Sequence, residues 1–138
     1  MASSTNTPSV LAQVHDALNR HDLPALADCF TEDYDSEQPA HPDRHFRGRA
    51  QVARNWAVMF SGLPDFHAEL LRGVVDGEII WAEWRWTGTR AGAEPLDARG
   101  VTIFGVREGR LAWGRRFMED VLGGQGIGAA VATLSGRH

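Results

Sequence analysis

Two short stretches carry most of the chemistry this chain could perform. "WAEWRW" (residues 81–86) holds three of the five tryptophans together with Glu83 and Arg85. "GRLAWGRRFMED" (residues 109–120) holds Arg115 and Glu119 among Leu111, Trp113 and Phe117. Strand alternation puts Trp81, Glu83 and Arg85 on one face of the first segment, and Ala82, Trp84 and Trp86 on the other. In the second it aligns Leu111, Trp113, Arg115, Phe117 and Glu119. If the two charged faces coincide, two glutamates and two arginines balance on an aromatic wall. Desolvation raises a glutamate's pKa and a neighbouring guanidinium lowers it. Such a site can separate two carboxylates into an acid and a base. The alternatives are a structural ion-pair network and a subunit interface under the tryptophan stripe.

Other residues could join them. Asn55 falls on an apolar helical stripe, where an amide needs hydrogen-bond partners or points into a pocket. Tyr34, the single tyrosine, is the one phenol able to donate to an oxyanion or pack as a core aromatic. His41 and His45 form "HPDRH". Pro42 puts the pair in a loop and no third metal ligand is evident, so His41 reads as an acid/base or hydrogen-bonding residue beside a pocket mouth. His15, His21 and His138 read as surface residues. Cys29 reads as a small buried hydrophobe rather than a nucleophile.

The chemistry that composition disfavours is extensive. The net charge is −4 and the longest basic run is Arg115-Arg116, which argues against nucleic-acid binding. There is no lysine, so Schiff-base chemistry and a lysine base are excluded. No G-x-S-x-G elbow and no apolar run of membrane-spanning length occur. "MASSTNTPS" lacks the regions of a signal peptide. The expectation is a cytoplasmic protein with no cofactor and no membrane partner. "GQGIGA" in the tail fits G-x-G-x-x-A, but a dinucleotide site needs a following strand and a distant acid.

The positioning elements follow from periodicity. A helix is predicted over about 8–21, capped by Thr7 and opened by Pro8, with Val10, Val14, Ala17 and Leu18 inward. A short helix at about 24–30, a short strand at Tyr34 and a loop follow. A third helix at about 49–60 buries Val52, Trp56, Met59 and Phe60. Segments near 65–75, 78–90, 97–107 and 110–120 read as strands, with hairpin turns at "VDGE" and "REGR". Helices before an antiparallel meander make one α+β domain over 1–138, with residues 1–7 a flexible tail and 122–138 a glycine-rich tail containing a short helix.

With these residues placed, the chain resembles the SnoaL-like branch of the nuclear transport factor 2-like superfamily over about residues 8–121. The likeness rests on "DLPALADCFTEDY", "FRGRAQVARNW", "WAEWRWTGT" and "RGVTIFGVREGRLAWGRRFMED". It implies a cone, in which a curved, mostly antiparallel sheet wraps a pocket closed by N-terminal helices, and it implies a homodimer. Relatives of this kind include polyketide cyclases, ketosteroid isomerases, limonene-type epoxide hydrolases and non-enzymatic binders. The epoxide hydrolases' Asp-Arg-Asp set corresponds to Glu119 with Glu83 and Arg85, here ordered Glu-x-Arg. The isomerase base aspartate corresponds to Gln38, before Pro39. The cyclases' acid and histidine correspond to Glu119 and His41.

The resulting expectation is cofactor-independent acid/base catalysis, a cyclisation or isomerisation, on a small apolar polyketide- or terpenoid-like metabolite. Glu119 carries the proton, Glu83 and Arg85 set its pKa, and Asn55 and His41 orient the substrate. Tyr34, Trp56, Trp81, Trp113 and Phe117 contact it. A binding module or interaction dimer is the rival, and epoxide hydrolysis a further alternative. In this reading the Glu83/Arg85 face lines the pocket, while the Trp84/Trp86 face is core or interface.

Overall fold

A computed structural model describes residues 2–135, with side chains from residue 9 onward. Helix α1 (Ala2–Arg20) precedes α2 (Leu23–Asp28) and strand β1 (Phe30–Glu37). A 3-10 turn (Pro42–Arg44), β2 (Phe46–Arg47) and α3 (Arg49–Gly62) follow. Strands β3 (His67–Asp76), β4 (Ile79–Thr89), β5 (Pro95–Arg107) and β6 (Arg110–Asp120) then form the meander, and α4 (Ile127–Ser135) ends the described chain. The backbone is already helical ahead of the cap predicted at Thr7, whose side chain lies outside the described residues. His138 also lies outside them. Among the described residues no strand follows α4, which carries "GQGIGA" at its start. Among the described residues no helix is long and apolar enough to cross a membrane.

The six strands form one curved sheet in the order β2-β1-β6-β5-β4-β3, not closed into a barrel. The hairpins are antiparallel as expected, but β1 runs parallel to β6. That pairing unites the helical first half with the meander. Asp22 caps α2 by accepting from the Ala25 amide, and Pro24 sits in its first turn, where a missing N–H costs nothing.

The core lies between the helices and one sheet face. Helix α1 contributes Val10, Val14, Ala17 and Leu18, all nearly inaccessible. Helix α3 contributes Val52, Trp56 and Phe60. They meet Ile80, Ala82, Trp84 and Trp86 of β4 and Phe104 of β5. Trp56, Phe60, Phe66 and Trp86 form an aromatic cluster with edge-on and tilted ring contacts and centroids 5.4–6.1 Å apart. His15 and His21, expected at the surface, instead tie helix to sheet. Their Nε2 atoms lie 3.1 Å from the Ala68 carbonyl and 2.9 Å from the Phe66 carbonyl, and His21 stacks on Phe60.

Candidate functional site

The inner face of the sheet is set by register. Trp84 pairs with Gly100 and Trp86 with Ala98 across β4 and β5. Gly100, Thr102 and Phe104 pair with Met118, Arg116 and Gly114 across β5 and β6. Alternation carries all of these to the helix side. Between them and the helices lies a cavity of about 420 Å³. Its wall is largely aromatic: Phe30, Tyr34, Phe46, Trp56, Trp84, Trp86 and Phe104. Its polar groups are Ser36, Gln38, Asn55, Thr102 and the guanidinium-bearing Arg44, Arg115 and Arg116. No aspartate, glutamate or histidine is among the described residues that line it.

This reverses the expected facing of "WAEWRW". Trp84 and Trp86 face the cavity, while Trp81, Glu83 and Arg85 lie on the outer face with Trp113, Phe117 and Glu119. Trp81 is 49% exposed and Phe117 40%. The physical reason is pairing across strands. Glu83 meets Arg72 at 3.3 Å, Arg115 meets Glu37 at 3.3 Å, and Glu119 meets His41 at 3.0 Å. Arg85 donates two bonds to Asp97, at 3.1 and 3.2 Å. Those bonds hold the Asp97 carboxyl below its usual range, against a smaller desolvation effect. Each charge therefore finds its partner on a neighbouring strand or loop in partial solvent, where pairing needs no buried pocket. Glu83 and Arg85 do not set the pKa of Glu119 from a shared cavity. Trp81 and Phe117 are not cavity wall, and Trp113 lines only a separate, charged hollow on the outer face with Glu37 and Arg115.

Tyr34, Asn55 and Trp56 do line the cavity. Tyr34 is buried, which pushes its phenol above the ordinary value. Its hydroxyl lies against Gly114, where any β-carbon would collide with it. Asn55 is exposed on its helix and faces the mouth, its oxygen accepting from Gln51 at 2.7 Å. Cys29 is buried, and burial pushes its thiol up to about 11, so it is a poor nucleophile near neutral pH.

Strand β1 runs beside β6 until Glu37 stands opposite Arg115. The chain then continues as the 38–45 loop alongside the last residues of β6. This brings the His41 Nε2 to the Glu119 carboxylate, 78 residues away in sequence. The same loop supplies Gln38 and Arg44 to the cavity. His45 turns to another carboxylate, Asp35, at 2.7 Å, so His41 and His45 do not converge.

Arg116 escaped the sequence reading. It shares the inner face with Gly114, one residue out of phase with Arg115, so the signal was the phase of β6 itself. Its guanidinium lies over the Trp86 ring, 5.1 Å from the centroid.

A SnoaL-like domain model matches residues 11–113. No curated protein matches. Solved structures share the fold at low identity. A protein assigned to the SnoaL-like polyketide cyclases, from Jannaschia sp. CCS1, is 21% identical over 94% of this chain and 90% of its own, with a TM-score of 0.71. A protein with a ketosteroid isomerase-like fold from Catenulispora acidiphila DSM 44928, in complex with trimethylamine, is 18% identical, over 80% of this chain and 85% of its own, with a TM-score of 0.71. An LEH-like epoxide hydrolase from M. tuberculosis is 17% identical over 83% of this chain and 84% of its own, with a TM-score of 0.72. At such identities these likenesses carry the fold and leave the reaction to the site. The chain belongs to the SnoaL-like domain family.

Proposed function

We propose that the chain is a small-molecule enzyme that uses its own side chains for acid/base catalysis, cyclising or isomerising an apolar polyketide- or terpenoid-like metabolite. The observation that carries this reading is the aromatic-walled cavity of about 420 Å³ with a few polar groups gathered in it. His41 is the proton carrier and Glu119 its partner. Glu119 occupies the His41 Nε2, and among the described residues His41 Nδ1 has no partner. His41 lies outside the cavity lining, on the loop that supplies Gln38 and Arg44 to it, so in this mechanism the substrate's reactive carbon sits at the mouth, where Nδ1 takes a proton from the carbon next to a carbonyl. The C–H electron pair becomes a C=C bond and the carbonyl becomes an enolate. Donors at the mouth, the amides of Gln38 and Asn55, stabilise that oxygen. In an unsaturated ketone the resulting dienolate takes the proton back from His41 at its γ-carbon; in a polyketone the enolate carbon instead attacks a second carbonyl to close a ring, and the alkoxide so formed takes the proton from His41. Turnover of cyclic enones and poly-β-ketones by the wild type and by His41→Asn tests this. Loss of turnover in the variant supports the mechanism, and equal rates contradict it.

A non-catalytic binding module is the second reading. It is favoured by the absence of Asp, Glu and His among the described residues lining the cavity. Epoxide hydrolysis has weaker support, because Glu83, Arg85 and Glu119 are each paired outside the cavity.

The partner on the outer face is a second copy of the chain. Val74, Trp81 and Phe117 leave an apolar patch on that face, and α4 exposes Ile127, Val131 and Leu134 along one stripe. A short helix without buried contacts is marginal alone, and the sheet face offers it matching apolar cover. Sedimentation velocity is expected to give a dimer at micromolar concentration and a monomer for Trp81→Asp. A monomeric wild type contradicts the proposal.

A further inference from the structure

The polar groups in the cavity share one property, which follows from what each can donate or accept. Arg44 has donors only, and it donates to Gln38 Oε1 at 3.0 Å. The Gln38 amide therefore keeps its N–H groups for the cavity. Arg54 likewise forces Gln51 to present oxygen at 2.7 Å, so Gln51 presents its nitrogen to Asn55. Asn55 must answer with oxygen, and its own N–H groups remain free. The Thr102 hydroxyl is already an acceptor for the buried Trp84 indole N–H at 2.8 Å. The indole N–H of Trp86 is buried with no acceptor among the described residues. Arg116 has no carboxylate or carbonyl partner among them either.

What the protein leaves unanswered is a set of donors and the Arg116 cation; Arg44, also without a carboxylate, is solvent-exposed. An unanswered buried donor or charge is costly, and the cost is relieved when an acceptor or counter-ion binds. The charges confirm the sign. Of the three arginines lining the cavity, Arg115 is answered by Glu37, whereas Arg44 meets only a neutral amide and Arg116 nothing. Desolvation disfavours the Arg116 cation, and the nearby Arg44 charge adds to that effect. Among the described residues the Trp86 ring face is the one close partner of Arg116, and no carboxylate stands beside it.

We propose that the cavity takes an organic monoanion, an apolar or aromatic skeleton bearing one carboxylate, with that carboxylate on the Arg116 guanidinium. A guanidinium binds a carboxylate through a fork of two parallel bonds. The aromatic wall fits an apolar remainder, and a phosphate dianion would bring more charge than one desolvated guanidinium answers. This rests on the cavity being the ligand site of the proposed enzyme and adds the class of substrate it selects.

The test compares 2-naphthoate with the isosteric 2-naphthamide and with methyl 2-naphthoate, by calorimetric titration of the purified protein. The acid is expected to bind at least about tenfold more tightly than the neutral probes. Arg116→Leu is expected to abolish that preference while still binding the ester, and Arg116→Lys to keep part of it. Far-ultraviolet circular dichroism checks that both variants fold, and the lysine variant carries the test if the leucine variant does not. Equal binding of acid and amide, no binding of any probe at millimolar concentration, or an undiminished preference in Arg116→Leu would overturn the proposal. A cavity that prefers the acid yet turns over no substrate leaves this inference standing and removes the catalytic one. Turnover of neutral ketones without preference for acids does the reverse.

Discussion

Trp84→Ala is expected to lower the free energy of unfolding by about 3–5 kcal/mol, the range for deleting a buried large aromatic side chain. Trp84 is 1% exposed and ranks among the largest fully buried side chains. It stands opposite Gly100 on the inner face, with His15 of α1 edge-on at 5.8 Å. The substitution also leaves the buried Thr102 hydroxyl without the Trp84 N–H that it accepts. Trp81, three residues away in sequence, is the internal control. It is half-exposed on the outer face, and Trp81→Ala should cost within about 1 kcal/mol in the monomeric chain. Urea unfolding of the two variants, with the slopes compared, checks both values. A larger loss at Trp81 than at Trp84 would mean that β4 faces the other way.

The second large effect is catalytic. His41→Asn should reduce kcat/KM by about a hundredfold to ten-thousandfold, the usual contribution of a positioned general base. Glu119→Gln keeps a hydrogen-bonding side chain of the same size but loses the charge that stabilises a protonated His41. It should slow the reaction less than His41→Asn. The double variant should be scarcely worse than His41→Asn alone, because residues acting as a unit are non-additive. Steady-state kinetics on the best substrate from the ketone series measures all three. Additive losses would show that the two side chains act separately.

The helical half and the meander were legible from periodicity because each element's own spacing reveals its buried stripe. Strand alternation in β4 and β6 was legible in the same way, but its sign was not. A period of two says which residues share a face and nothing about which face the helices cover. The balanced set of Glu83, Arg85, Arg115 and Glu119 pulled the reading inward. Their real partners, Arg72, Asp97, Glu37 and His41, sit on other elements, and only the strand register brings them close. The parallel β1–β6 pairing was equally hidden, since it joins segments some eighty residues apart. It is also what sets His41 beside Glu119 and Tyr34 against Gly114. Arg116 was passed over because its neighbour Arg115 lay on the favoured face.

The central claim is that ligand enters between the helices and the Trp84/Trp86 face. The most direct measurement is a proton–nitrogen correlation spectrum of the five indole N–H groups during titration with 2-naphthoate, each peak assigned by a single Trp→Phe variant. The indole signals of Trp56, Trp84 and Trp86 should move, with Trp86 moving most because its ring lies under the Arg116 guanidinium, while those of Trp81 and Trp113 stay in place. Movement of Trp81 and Trp113 with the other three still would put the ligand on the outer face and contradict the account.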